Sequence, residues 1–369
     1  MKRMCVLLFI LFGVSLGSGS TAAALEITDK LSIEGDLAAA YQYQSLSKAP
    51  GFDDTGRGAL VFQPTLRLQL TDRDVIQATL GFAAGNGLND GQSPFVLVPW
   101  AADLEADVKN IGGRDRDYLL TAWYGRQFDL GGIGQLEVTG GLIDAADFLD
   151  DNAFANDEFG QFMNEALVNS PTAFLPAFDL GGGLQWEIGN WTTRAVVMNI
   201  SSNEEDPGYH FYGAQLGYRM DLGMGAGNYR LAVMGTNKAF ESPTGQGDQS
   251  LIGAVLSFDQ EIGETFGVWM RLGWQDDDAV VLHRNLYSAG IDIKGALWNR
   301  QEDNIGIGFA LLDGGNTEID QSQVAEIYYR CALNDYTALS LNFQYQEDKD
   351  KDGSKPRGLI SGVRFVASF

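Results

Sequence analysis

The feature that most constrains this chain is an alternation of apolar and polar residues that recurs along most of its length. In LSIEGDLAAAYQYQ, the apolar residues Leu31, Ile33 and Leu37 fall on one face, while charged and hydroxyl side chains fall on the other. Successive side chains of a β-strand point to opposite faces, so a period of two predicts strands with one apolar face. The same period recurs in LVFQPTLRLQL from Leu60 and in FGVWMRLGW from Phe266.

The alternation predicts sixteen strands, separated by segments rich in glycine and polar residues. Connections after the even-numbered strands are mostly tight turns, whereas those after the odd-numbered strands include long polar loops. The expected strands span 31–46, 58–71, 75–84, 116–128, 134–143, 181–189, 191–200, 209–221, 228–237, 249–259, 264–275, 284–294, 304–312, 322–333, 336–346 and 357–369. The expected long loops span 85–115, 144–180, 238–248, 276–283 and 347–356.

An even strand number with short turns on one side and long loops on the other is typical of bacterial outer-membrane barrels. Lipid offers the backbone no hydrogen-bond partners, so a sheet inside it has to close on itself. After Ala24 no segment approaches the roughly 18 unbroken apolar residues of a membrane helix. We therefore expect an all-β fold, a 16-stranded antiparallel transmembrane β-barrel over residues 25–369, in the outer membrane of a Gram-negative bacterium. The alternative is a secreted soluble β protein that binds glycans.

The first residues predict a secretory signal peptide. A basic start and an apolar run from Met4 to Leu16 precede three alanines that end at Ala24. This pattern is typical of an export signal, so we expect residues 1–24 to be cleaved off. The mature chain would keep Cys331 alone, and no internal disulfide is expected.

The chain is strongly acidic, with a formal net charge of −24 that becomes −26 when the two basic residues of the signal peptide are removed. Nucleic acid rewards basic surfaces, so no nucleic-acid partner is expected. Only two histidines are present. Neither lies beside a nucleophile or a carboxylate in the arrangement that a hydrolase needs. The sequence therefore predicts no enzyme, no cofactor and no metal site.

An acidic, aromatic insert interrupts the alternation between Ile143 and Phe178. It has seven carboxylates, five phenylalanines and no lysine or arginine. The stretch DFLDDNAFANDEFGQFMNEAL within it has helix-forming character. The carboxylates are Asp144, Asp147, Asp150, Asp151, Asp157, Glu158 and Glu165.

The run LIDAADFLDDNAFANDEFGQFMNEALVNSP resembles a loop of the carbohydrate-selective porin family, the OprB-like porins. That family shows D-x-x-x-F-F-D-x-N-x-x-A-N-D-E-x-x-Q-F leading into A-L-x-N-x-P, and this chain departs from it with Leu149 at the second phenylalanine. RQEDNIGIGFA from Arg300 and EIYYRCALNDYTALSLNFQYQ from Glu326 also resemble the family. The first hundred residues match only as a generic barrel.

The resemblance implies a sixteen-stranded outer-membrane channel that passes sugars by diffusion, with residues 144–180 folded inward as a constriction loop. Phe148 and Phe154 would pack this third long loop against the wall or offer an aromatic surface to sugars. Homotrimers are frequent among such porins, so one is expected here. The solute is not fixed, and a general or cation-favouring porin without sugar preference is the alternative.

Opposite the acidic loop, the lumen wall is expected to present arginines, which occupy the strand positions that alternate onto the polar face. A charged side chain facing lipid at mid-depth costs about 2–4 kcal/mol, so these side chains should face inward. Trp269 shares this parity and could offer an aromatic surface, whereas Trp123 is expected in the membrane-interface girdle or in the core. The expected wall arginines are Arg67, Arg194, Arg271 and Arg364.

The chain ends on an alternating strand, GLISGVRFVASF, whose last residue is Phe369. A terminal phenylalanine on such a strand resembles the signal that outer-membrane proteins present to the barrel assembly machinery. We therefore expect this machinery, outer-membrane lipid and small hydrophilic solutes as partners.

Overall fold

The computed structural model describes residues 24–203 and 208–369, and within them sixteen long strands form one antiparallel sheet. We number these strands β1 to β16. Their bounds are Leu31–Ser47, Thr55–Thr71, Asp74–Leu80 continued by Phe82–Ala84, Leu119–Asp129, Gln135–Ile143, Asp179–Ile188, Trp191–Ile200, Tyr209–Asp221, Ala226–Thr236, Ile252–Ile262, Phe266–Gln275, His283–Lys294, Asn304–Gly314, Ile319–Asn334, Thr337–Asp350 and Arg357–Ser368. The expected sixteen strands are confirmed.

The sheet closes into a barrel because β1 pairs with both β2 and β16. The register along β16 runs from Asp36 opposite Ser368 to Ser47 opposite Arg357. The last residue, Phe369, exchanges backbone hydrogen bonds with Gly35 at 3.0 and 3.1 Å. Closure leaves no unpaired edge along the length of the barrel, as a sheet in lipid requires.

Helices and short strands lie outside the barrel strands. Two short α-helices and five single-turn 3₁₀ helices occur in the described residues, and no helix there is both long and apolar enough to cross a bilayer. The helices span Glu105–Lys109 and Glu165–Val168, and the 3₁₀ turns span Ile111–Gly113, Gly131–Ile133, Ala145–Asp147, Pro171–Ala173 and Gly295–Trp298. Short strands span Leu25–Thr28, Phe240–Glu241 and Asp248–Gln249. Residues 1–23 of the expected signal peptide lie outside the described part.

The two faces of the barrel differ as the alternation predicts. Along β9, Leu231 and Val233 point outward and are 44% and 49% exposed, whereas Ala232 and Met234 point inward and are 1% and 4% exposed. Since the outward residues of the other strands are also mostly large and apolar, the outer surface suits hydrocarbon rather than water. The inward residues are buried because two loops enter the lumen, as described below.

Replacing Leu231 by arginine places a charge on the outer surface at the middle of β9. We expect the free energy of unfolding to fall by about 2–4 kcal/mol, because lipid does not solvate the charge. The matched variant Leu222→Arg, in the short turn before β9, should cost only about 0–1 kcal/mol. Reversible folding into phospholipid vesicles measures both, and equal losses would contradict a lipid-facing β9.

Candidate functional site

The long loop between β5 and β6, residues 144–178 and here called L3, crosses the lumen. Asn152 donates to Ser257 Oγ on β10 at 3.1 Å, and Glu326 on β14 accepts from the Met163 amide at 2.7 Å. These strands lie four or more strands away from β5 and β6, and their bonded side chains point inward. L3 therefore packs inside the barrel and reaches wall strands far from its own.

A buried ion pair anchors the middle of L3. Asp150 and Arg271, on β11, are both fully buried, and Arg271 Nε lies 2.9 Å from Asp150 Oδ1. The guanidinium also donates to the Leu167 carbonyl at 3.2 Å and to Asn156 Oδ1 at 3.0 Å. The second carboxylate oxygen of Asp150 accepts from the Ser170 amide at 2.6 Å. Arg271 thus ties together three separate parts of the loop.

Two further wall residues hold the second half of L3. The carboxylate of Glu326 accepts from the backbone amides of Met163 and Asn164 at 2.7 and 2.9 Å. Arg364, fully buried on β16, donates to the Gln161 carbonyl at 2.8 Å. Arg271 and Arg364 therefore point inward, as their parity requires, but L3 covers them and they do not face an aperture.

The expected helical character of L3 is mostly wrong. Only Glu165–Val168 is α-helical, with Asn164 Oδ1 accepting from the second helical amide at 3.1 Å. Elsewhere side chains capture the backbone donors that a helix would use. The carboxylate of Asp157, for example, accepts from the amides of Phe159 and Gly160 at 2.8 and 2.9 Å. Such local side-chain acceptors compete with helix formation.

Glycines on the wall make room for the aromatic side chains of L3. A Cβ at Gly267 would lie 2.3 Å from the ring of Phe154, and one at Gly183 would lie 2.1 Å from the ring of Phe148. Phe154 is 4% exposed, whereas Phe148 remains half-buried. The absence of a side chain at these wall positions therefore sets how closely the loop approaches.

Trp269 is covered rather than open to the lumen. It is 3% exposed, and its ring centroid lies 5.5 Å from that of Phe162 in an edge-to-face contact. A passing solute cannot reach a ring buried in this way. Trp269 and Phe154 therefore pack L3, and the aromatic surface of the lumen comes from other residues.

A second loop, residues 85–118 and here called L2, also folds inward, which the sequence reasoning missed. Its Trp100, 1% exposed, donates to the Glu158 carbonyl at 3.0 Å. The amide of Val98 donates to Glu165 Oε2 at 3.2 Å, which joins L2 to L3. The apolar run PFVLVPW from Pro94, inside a polar loop, was the signal that could have revealed this burial.

L3 leaves a cavity of ≈ 210 Å³ beside the wall formed by β2 to β7. We call it the eyelet cavity. Trp123 lines it and also packs, half-buried, against the buried cluster that contains Ile143 and Leu149, so this side chain lies on the core side of the wall rather than in the girdle. The polar and aromatic lining comprises Arg67, Gln77, Trp123, Glu137, Thr139, Gln185 and Arg194 on the wall, and Asp147, Phe148, Asp151 and Asn156 on L3.

Two further cavities flank the eyelet cavity on the two sides of L3. One, of ≈ 310 Å³ on the long-loop side, shares Ala146 with it and is also lined by Asp144 and Glu165. The other, of ≈ 250 Å³ on the short-turn side, shares Asp151 and Arg194 with it. The shared residues place each of these two spaces next to the eyelet cavity.

The charge of Asp151 is balanced by the wall. Its carboxylate lies 3.1 Å from Arg194 Nη1 and 3.0 Å from Arg230 Nε, and it accepts from Gln215 Nε2 at 2.6 Å. Among the expected wall arginines, Arg67 and Arg194 therefore line the eyelet cavity, while the other two serve as anchors beneath L3.

Replacing Arg271 by methionine leaves the Asp150 carboxylate buried without its cation. Loss of one partner of such a pair costs about 3–5 kcal/mol, so we expect L3 to detach and single-channel conductance to rise and become noisy. The double variant Asp150→Asn, Arg271→Met should recover part of the quiet conductance. Arg284→Met is the control, since Arg284 pairs with Asp277 at 3.5 Å on the exposed rim. Unchanged conductance in Arg271→Met would contradict the anchoring role.

A sequence profile of the carbohydrate-selective porin, OprB family, matches residues 100–369. An uncharacterized protein of Aquifex aeolicus (strain VF5) is 27% identical over 287 residues, covering 74% of this chain and 78% of that protein.

Solved structures share the fold at low identity. Pseudomonas putida OprB at high pH has a TM-score of 0.70 at 15% identity, with 92% of this chain and 94% of that chain covered. The outer-membrane channel DcaP of Acinetobacter baumannii has a TM-score of 0.58 at 9% identity, with 94% and 100% covered. The family profile covers most of this chain, from residue 100 to residue 369. The chain belongs to the carbohydrate-selective porin, OprB family.

Proposed function

We propose that this protein is a passive diffusion channel that prefers sugars, and that solutes cross it through the eyelet cavity. The observation that carries the proposal is the eyelet cavity between L3 and the wall, with a further cavity next to it on each side of L3. Flow is driven by the solute gradient alone, with no cofactor, metal or chemical step. We propose L3 as the constriction, because it fills the lumen on the side of β8 to β16.

The lining of the eyelet cavity suits a sugar chemically. Arg67, Gln77 and Glu137 offer hydrogen-bond donors and acceptors that can replace the water on sugar hydroxyls. Trp123 and Phe148 offer aromatic faces for the apolar C–H face of a pyranose. Polar groups that fix orientation, together with apolar surface, are the usual composition of a small-molecule site.

Membrane placement follows from the same features. We propose that the protein lies in the outer membrane of a Gram-negative bacterium, with lipid against its apolar outer face and the long loops outside the cell. The strand that ends at Phe369 would present the assembly signal to the barrel assembly machinery. We also propose a homotrimer, because sixteen-stranded porins are often trimers. No catalytic role and no nucleic-acid partner is proposed.

The competing proposal is a general or cation-favouring porin, which the acidic L3 favours. Liposome swelling with a pentose, a hexose and a disaccharide separates the two. We expect hexoses to permeate faster than linear polyols of the same size, because the lining exchanges hydrogen bonds with the ring hydroxyls. A flux that follows size alone, for sugars and polyols alike, would leave the general porin as the better description.

Trp123→Ala tests the aromatic surface. Losing about 40 Å² of apolar contact at about 25 cal/mol per Å² weakens sugar binding by about 1 kcal/mol, roughly fivefold. The measurement is the sugar concentration that halves the ion current in a planar bilayer. Trp123→Phe should keep most of the affinity, and Trp274→Ala, on the outer surface at 41% exposure, should keep all of it. Equal affinity in Trp123→Ala would exclude this ring from the sugar path.

A further inference from the structure

Most of the charge in the eyelet cavity is balanced within the wall and L3. Asp151 lies within 3.1 Å of both Arg194 and Arg230, and Arg230 also pairs with Asp259 at 2.5 Å, so two cations meet two carboxylates. Arg67 on β2 interacts electrostatically with Glu34 and Glu137. These groups therefore contribute little net field to the open space.

Asp147 also lines the cavity from L3, but unlike Asp151 its carboxylate is not paired with an arginine of the described residues. Its side chain is exposed to the lumen, and no hydrogen-bond or ion-pair partner for its carboxylate occurs within residues 24–203 and 208–369. Its position is fixed, because it ends the 3₁₀ turn Ala145–Asp147, whose N-cap Asp144 accepts from the Ala146 amide at 2.8 Å. Asp147 is thus a fixed negative charge beside the narrow part of the lumen.

We propose that Asp147 is the residue that sets the charge selectivity of this channel. It makes the eyelet cavity favour cations and neutral sugars over anions, and it disfavours anionic sugars such as uronates and sugar phosphates. A unit charge about 5 Å from a passing ion in water changes the local ion concentration about fourfold, in opposite directions for the two signs. The inference rests on the proposed function only in placing the solute path through this cavity.

The selectivity should depend on pH. Although the side chain reaches the lumen, the surrounding walls desolvate its carboxylate and raise the pKa of Asp147 to about 6, and Arg194 opposes the shift. Water in the lumen solvates the carboxylate, so the midpoint is expected at or below 6. Above it Asp147 is charged and cation preference is present; below it the preference falls. The charged groups that face Asp147 are Asp144 and Asp151 on L3, and Arg67, Glu137 and Arg194 on the wall.

Reversal potentials in a planar bilayer under a KCl gradient near 0.1 M test the proposal. We expect Asp147→Asn to lower the ratio of K⁺ to Cl⁻ permeability at least about fourfold and to remove its change between pH 7.5 and pH 5. Asp147→Glu should keep the ratio. Asp352→Asn, the same charge change at the β15–β16 hairpin tip, should leave it unchanged. In 1 M salt the difference should shrink, because the Debye length falls to about 3 Å.

Solute flux provides the second readout. In liposomes, Asp147→Asn should increase glucuronate entry relative to glucose at least about fourfold. A folded Asp147→Asn barrel, judged by its mobility shift on boiling, that keeps both the ion ratio and the glucuronate exclusion would overturn the proposal. Wild-type swelling without sugar preference would instead count against the proposed function, and the ion ratios would still decide the role of Asp147.

Discussion

The whole structure depends on one constraint, which is that backbone groups within lipid have to find their hydrogen-bond partners inside the protein. Sixteen strands meet it by closing through β1 and β16, and the terminal residue Phe369 completes that seam with Gly35. Closure of so many strands encloses a wide interior. Everything that concerns function follows from how that interior is filled.

L2 and L3 fill this interior. They are held there by buried polar contacts, including a buried ion pair. The Asp150–Arg271 pair is fully buried, so its attraction has to offset the desolvation of two charges. The additional hydrogen bonds from Arg271 to carbonyls of L3 and from Ser170 to Asp150 provide the compensation that such pairs need. The anchors lie on β10, β11, β14 and β16, whereas the eyelet cavity lies beside β2 to β7.

Several residues of the family motifs make the contacts that hold L3 and the barrel together. In L3 the motif includes Asp150 and Asn152, which bind β11 and β10, and in the stretch from Glu326 it includes the carboxylate that binds two L3 amides. In the stretch from Arg300, Asp303 accepts from Arg300 Nε at 2.5 Å and fixes a short turn. The motif residues therefore hold the loop and the barrel, whereas the eyelet lining comes largely from residues outside the motifs.

The sequence by itself determined the strands, their number and the face that each side chain takes, because a period of two is a local property of the chain. It also located L3 and its carboxylates. Only the tertiary structure decided which charges are paired, that Arg271 and Arg364 lie beneath L3, that Trp123 lines the eyelet cavity and that L2 enters the lumen. Parity gives the direction of a side chain, but what covers it depends on contacts between residues far apart in the chain, such as Asp150 and Arg271, which no local pattern encodes.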